Sequence, residues 1–104
     1  MKKRCCIYCR VLDKEGIKLL DYQEQILTKF AKEKDFNVFY TFFEIGNGTD
    51  FRTAKLQQLI HFVRRKDIDV VLTYSKNRIS VYEDLAEEFE MICNKHNVQL
   101  LTYK

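Results

Sequence analysis

Short apolar runs alternate along the chain with longer stretches in which apolar positions recur at helical spacing. Residues 4–11, Arg4-Cys-Cys-Ile-Tyr-Cys-Arg-Val11, read as a buried strand. After the polar Asp13-Lys-Glu-Gly16, a helix is expected from about Leu19 to Lys34, with Leu19, Tyr22, Ile26 and Phe30 on its inner face. Residues 36–43, β-branched and aromatic, read as a second strand, and a glycine-containing loop, Glu44 to Asp50, follows. A second helix, about Ala54 to Arg65, carries an i, i+3, i+4, i+7 stripe of Leu56, Leu59, Ile60 and Val63. Residues 68–74 form a third strand. Ser80 and Glu83 stand at capping-box spacing, so a third helix is expected to start near Val81 and turn Tyr82, Leu85, Phe89 and Ile92 inward. Residues 98–103 complete the pattern as a fourth strand.

This alternation predicts an α/β fold in three layers, a mostly parallel four-stranded sheet with helices on both faces. The crossovers are right-handed, and the strongly apolar first strand belongs at the centre. The chain has no proline, no repeat and no low-complexity linker, so a single domain is expected over residues 1–104. In such a sheet, chemistry collects at the carboxyl ends of the strands. Those ends are Arg10 to Asp13, Glu44 to Thr53 and Ser75 to Val81.

Composition narrows the function classes. Hydrophobic residues are 46% and charged residues 32%, enough for one core and an ordinary soluble surface. A net charge of +3 permits contact with nucleic acid without arguing for it. No apolar run is long enough to span a bilayer. The apolar stretch after Met1-Lys2-Lys3-Arg4 is broken by Arg10 and Asp13, unlike a signal peptide, so a cytoplasmic location is expected. Cys6-Ile-Tyr-Cys9 spells C-x-x-C, yet strand geometry sends residues three apart to opposite faces. Cys5, Cys6, Cys9 and Cys93 are therefore expected as small buried hydrophobes, with no metal and no cofactor.

The strand ends carry a resemblance. Tyr8-Cys-Arg10-Val11 is similar to Y-x-R-V, and Leu20-Asp-Tyr-Gln23 to L-x-x-Q. Gly48-Thr49 with Leu56 is similar to S-G-T…R-P-x-L. Ile68-Asp-Val-Val-Leu with Lys76-Asn-Arg78-Ile-Ser80 is similar to I-D-x-V-L…L-D-R-L-S-R. In order and spacing, the chain resembles the catalytic domain of serine recombinases, the resolvase/invertase group and the large serine integrases. The resemblance implies a flavodoxin-like strand order 2-1-3-4. It also implies a chemistry in which a serine hydroxyl attacks a DNA phosphodiester and arginines stabilise the transition state.

The departures from that pattern carry the functional expectation. Leu12 stands where the family has its nucleophilic serine, and leucine has no lone pair to attack phosphorus. Thr53 and Val81 stand at two arginine positions, and Asn77 at an aspartate. Tyr8, Arg10, Gln23 and Arg78 are retained. Each missing arginine is worth about 10²–10³ in rate, taken as an oxyanion donor. No catalytic residue is therefore expected. The resemblance further implies a long dimerisation helix and a DNA-binding region after the fourth strand, and the chain is expected to lack both.

Arg10 and Arg78 either keep an anion pocket or pair with acids such as Asp13 or Glu44. Arg64-Arg65-Lys66 either touch nucleic acid or complement a helix C-terminus. Thr53 reads as a helix N-cap. Leu12, Leu19 and Val81 either form an apolar interaction surface or pack together to fill the old cleft. The leading expectation is a non-catalytic relative, carried by a phage or other mobile element, acting on a protein partner, either a recombinase or a host factor. The alternatives are a fragment of a DNA-cleaving recombinase and a non-catalytic nucleic-acid binder.

Overall fold

The computed structural model describes residues 2–104. The first strand, β1, spans Arg4–Val11, and a short 3-10 turn at Lys14–Gly16 leads into helix α1, Ile17–Glu33. Strand β2 spans Asn37–Ile45, helix α2 Ala54–Arg64 and strand β3 Val70–Thr73. A second 3-10 turn, Lys76–Arg78, precedes helix α3, Glu83–Lys95, and strand β4, Gln99–Thr102. The strands form one sheet in the order β2-β1-β3-β4, all neighbours parallel, so the expected α/β architecture and strand order are both observed.

Strand β1 is central because it is apolar on both faces: every residue from Cys5 to Val11 is buried. On one face Cys6 and Tyr8 pack with Leu56, Leu59, Ile60 and Val63 of α2 and with Phe89 and Cys93 of α3. On the other face Cys5, Ile7, Cys9 and Val11 pack with Leu20, Leu27 and Ala31 of α1. Burying each large aliphatic or aromatic side chain stabilises the fold by about 1.5–3 kcal/mol. Cys6 and Cys9 point to opposite faces, as the alternation requires. Burial raises the thiol of Cys5 to about 11 and those of Cys6, Cys9 and Cys93 to about 12, so all four stay protonated at neutral pH.

Two helix faces differ from expectation. The inner face of α1 is Leu20, Gln23, Leu27 and Ala31, one residue round from the expected stripe. Gln23 explains the rotation. Its Oε1 accepts the Arg10 N–H at 3.2 Å and its Nε2 donates to the Arg10 carbonyl at 3.0 Å, so the end of β1 pulls this amide inward. Leu19 and Tyr22 are exposed, and Phe30 lies half-buried against the edge of the Tyr103 ring. Helix α3 starts at Glu83, not near Val81, with Tyr82 as a cap residue that makes no side-chain bond. Its inner face is Ala86, Phe89 and Cys93, while Tyr82 is exposed. Ser80 does not cap it, because the Ser80 hydroxyl donates to the Gly48 carbonyl at 3.1 Å and accepts the Tyr82 N–H.

All three helices end the same way. Asp35, Lys66 and Asn97, just beyond α1, α2 and α3, have φ of 60°, 58° and 58°. This left-handed step reverses the chain toward the next strand, and no glycine supplies it. Among the described residues, no helix is long and apolar enough to cross a membrane.

Candidate functional site

The carboxyl ends of β1, β2 and β3 meet around Arg10. Its side chain is buried, and its guanidinium reaches across two loops. Nη1 donates to the Gly46 carbonyl at 2.8 Å, Nη2 to Asn77 at 2.6 Å and Nε to Arg78 at 2.8 Å. One planar fork thereby ties the loop after β2 to the turn after β3. Burial lowers the Arg10 pKa, and the nearby Arg78 charge acts in the same direction. Arg78 donates from Nη1 to the Arg10 carbonyl at 3.3 Å, while its buried Nε has no protein partner.

Gly48 is required where it stands. Its φ is +77°, a conformation that disfavours side chains, and a Cβ there would lie 2.6 Å from Arg10 Cζ. Its carbonyl accepts the Ser80 hydroxyl at 3.1 Å and the Val81 N–H at 3.0 Å. The loop after β2 is thus held from three sides.

Glu44 organises the second half of the site. Its Oε1 accepts the Tyr8 hydroxyl at 3.2 Å and the Thr53 hydroxyl at 2.6 Å. Thr53 Oγ1 in turn accepts the Leu56 N–H at 3.2 Å, so the expected N-cap of α2 is present. Burial raises the Tyr8 pKa, and the Glu44 carboxylate raises it further. These groups line a hollow of about 110 Å³ that also includes Arg10, Gly48, Asp50 and Ile79.

The structure gathers these residues at the strand ends in two hydrogen-bonded groups, Arg10 with Gln23, Arg78 and the Asn77 main chain, and Glu44 with Tyr8 and Thr53, which meet at the hollow. The acid pairing considered for the arginines is replaced by main-chain contacts. Asp13 instead accepts the Glu15 N–H, and Glu44 serves Tyr8 and Thr53. Leu12 and Val81 do not fill the hollow: they are 65% and 48% exposed, and Leu19 is 43% exposed. The hydroxyls near the strand ends are engaged. Ser75 donates to Asn77 Oδ1 at 2.6 Å, Thr49 to Asn47 Oδ1 at 2.6 Å, and Ser80 to Gly48. Among the described residues, no three of His, Cys, Asp and Glu cluster as metal ligands would.

The sequence offers Glu44 only as a partner for the arginines, not as the acceptor of Tyr8 and Thr53, and does not single out Gly46. Strand β2 runs through Glu44 to Ile45, beyond the expected end at residue 43, which sets this acid beside Tyr8. Nothing in the sequence marks Gly46, because its role belongs to its carbonyl.

The model of the resolvase N-terminal domain family matches residues 5–104. The chain belongs to this family. Among solved structures, this resolvase-type domain is similar to the C-terminal catalytic domain of ISC1926 TnpA, an IS607-like serine recombinase. Identity is 27% and the TM-score 0.91, over 97% of this chain and 70% of that one. The N-terminal catalytic domain of TP901-1 integrase is 24% identical with a TM-score of 0.85, over 96% of this chain and 76% of that one. A serine recombinase from Sulfolobus solfataricus is 19% identical with a TM-score of 0.82, over 100% of this chain and 69% of that one. No curated protein matches the chain. These findings bear out the serine recombinase resemblance and its fold.

Proposed function

We propose that this resolvase-type domain does not cleave DNA and acts through protein contact, as a regulator or inhibitor of a recombinase encoded by a mobile element. The observation that carries this reading is Leu12, an exposed leucine at the family's nucleophile position, directly after the strand that presents Arg10. The engagement of Arg10 with three carbonyl oxygens supports it, because those donors are not free for a phosphate. The bonds of Ser75, Thr49 and Ser80 support it further, since each nearby hydroxyl has another partner. Exposed Leu12, Leu19 and Val81 supply apolar surface for contact.

The test pairs the chain with a serine recombinase from the same element and that enzyme's supercoiled substrate. The expected result is no covalent protein–DNA adduct from this chain on a denaturing gel, and dose-dependent loss of strand exchange by the enzyme. Leu12→Glu with Val81→Glu is expected to relieve that loss. An adduct formed by the unaltered chain would overturn inactivity, and undiminished exchange would overturn the contact reading.

A second reading is a piece of a DNA-cleaving recombinase. Retention of Tyr8, Arg10, Gln23 and Arg78 around the same strand ends favours it. It predicts that Leu12→Ser, with Thr53→Arg and Val81→Arg, restores the adduct.

A further inference from the structure

Strand β2 is an edge of the sheet and its most exposed apolar element. Val38, Phe39, Tyr40, Phe43 and Ile45 are all 38% exposed or more. The strand's one charged residue, Glu44, is occupied by Tyr8 and Thr53. Long apolar edges of this kind are templates for pairing, and proteins ordinarily blunt them with charges or bulges. Here the blunting is partial. The register with β1 skips a residue, since Cys5 faces Val38 and Cys6 faces Tyr40, which makes Phe39 a bulge. From Tyr40 to Ile45 the ladder is regular.

The backbone orientation of that regular stretch can be read directly. Gly46 N–H donates to the Val11 carbonyl, so it faces β1. Alternation then turns the main-chain groups of Ile45, Phe43 and Thr41 outward. Consistent with this, the Phe43 carbonyl accepts a bond from Lys55 Nζ of α2.

We propose that β2 pairs antiparallel with β2 of a second copy of this chain, across a two-fold axis at Phe43, and that Lys55 gates the pairing. In this register Phe43 meets Phe43, and Thr41 meets Ile45 on either side. Three pairs of this type supply about six main-chain hydrogen bonds. No like charges face each other on the outward positions, because these are Thr41, Phe43 and Ile45. The pairing is isologous, so it closes at two copies. The opposite edge is a poorer candidate: β4 is four residues long and only Gln99 within it is exposed.

The area fits a weak dimer. The paired stretch, Thr41 to Ile45 with Tyr40 beside it, covers roughly 300–400 Å² per copy at the exposures of Tyr40, Phe43 and Ile45, a total below the roughly 1,000 Å² of a stable specific interface, so the pairing is weak and transient. Lys55 opposes association by holding the central carbonyl acceptor. The proposal is independent of whether the domain contacts a recombinase.

Sedimentation velocity of the full chain from about 5 to about 500 µM tests it, in the concentration range of a small interface. A shift from monomer to dimer across this range is expected. Phe43→Lys, at an exposed position where circular dichroism can verify folding, is expected to raise the midpoint at least about tenfold, one charge being set against its copy on the axis. Ile45→Lys is expected to act in the same direction. Lys55→Ala frees the Phe43 carbonyl and is expected to lower the midpoint several-fold. A monomer throughout the range overturns the proposal. So does a dimer that folded Phe43→Lys leaves unchanged, which would assign association to another surface.

Discussion

Arg10→Met removes the guanidinium but keeps an unbranched apolar stem, so it isolates the tie between the two loops. Three charge-assisted bonds are lost, to Gly46, Asn77 and Arg78. Hydrogen bonds involving a charged group are worth about 1.5–3 kcal/mol each. Two effects reduce the sum. Removing the buried cation also removes its desolvation penalty, and the freed carbonyls lie in loops that can open to water. A net loss of about 3 kcal/mol is expected. For a domain of this size that corresponds to a fall in Tm of roughly 12–24 °C. In urea it lowers the unfolding midpoint by roughly 1–3 M at an unchanged m-value. Far-UV circular dichroism measures both. Hydrogen exchange supplies a local readout, because Val81 N–H bonds to the loop that Arg10 holds and should lose protection first. Arg10→Lys should be only partly better, since a compact ammonium cannot span three carbonyls in a plane. If Arg10→Met stayed within about 0.5 kcal/mol of the parent, the normal range for an unconstrained surface change, Arg10 would not be what ties the two loops together.

Gly48→Ala should lose about 2 kcal/mol, combining left-handed strain with the approach to Arg10, and equilibrium unfolding measures it. Thr53→Val removes the α2 cap and one Glu44 partner, and should cost about 1–2 kcal/mol by the same measurement. The thiols make stability fall on the alkaline side. Their folded pKa values of about 11 to 12 exceed the unfolded value of 9.0, so their contribution is complete below pH 9 and disappears as pH rises through 11 to 12. The urea midpoint should therefore drop above pH 9, and Cys93→Ala should reduce the slope of that drop even though it lowers the starting stability. A slope unchanged by Cys93→Ala would contradict the assignment. The native thiols should also resist an aromatic disulfide reagent at pH 8 and react in denaturant.

The fold was legible because its signals are redundant. The α2 stripe of Leu56, Leu59, Ile60 and Val63 is buried throughout, and the apolar run from Cys5 to Val11 could only be central. What misled was polar chemistry between distant residues. Periodicity alone gave α1 a continuous apolar stripe at Leu19, Tyr22, Ile26 and Phe30, and nothing local indicates that Gln23 must face inward to bond Arg10. Ser80 and Glu83 satisfy a local capping pattern, but Gly48, 32 residues earlier, claims the serine hydroxyl. At the site, the relevant side chains were identifiable as Tyr8, Arg10, Thr53 and Arg78. Their partners were less so, because Gly46, Asn77 and Arg78 contribute carbonyls that every residue type possesses.

The left-handed steps after the three helices offer experimental leverage. Asp35 and Asn97 are residue types that tolerate this conformation, whereas Lys66 is less suited to it. Glycine at position 66 would relieve roughly 1 kcal/mol of strain, with loss of the Lys66 contacts to Asp69 and Asn97 set against it. In a parallel sheet these junctions lie at the amino ends of the strands, and the Arg10 network lies at the carboxyl ends. Robustness and chemistry are therefore housed at opposite poles of the domain. Reinforcing one pole provides a sturdier host in which destabilising substitutions at the other can be studied in folded protein.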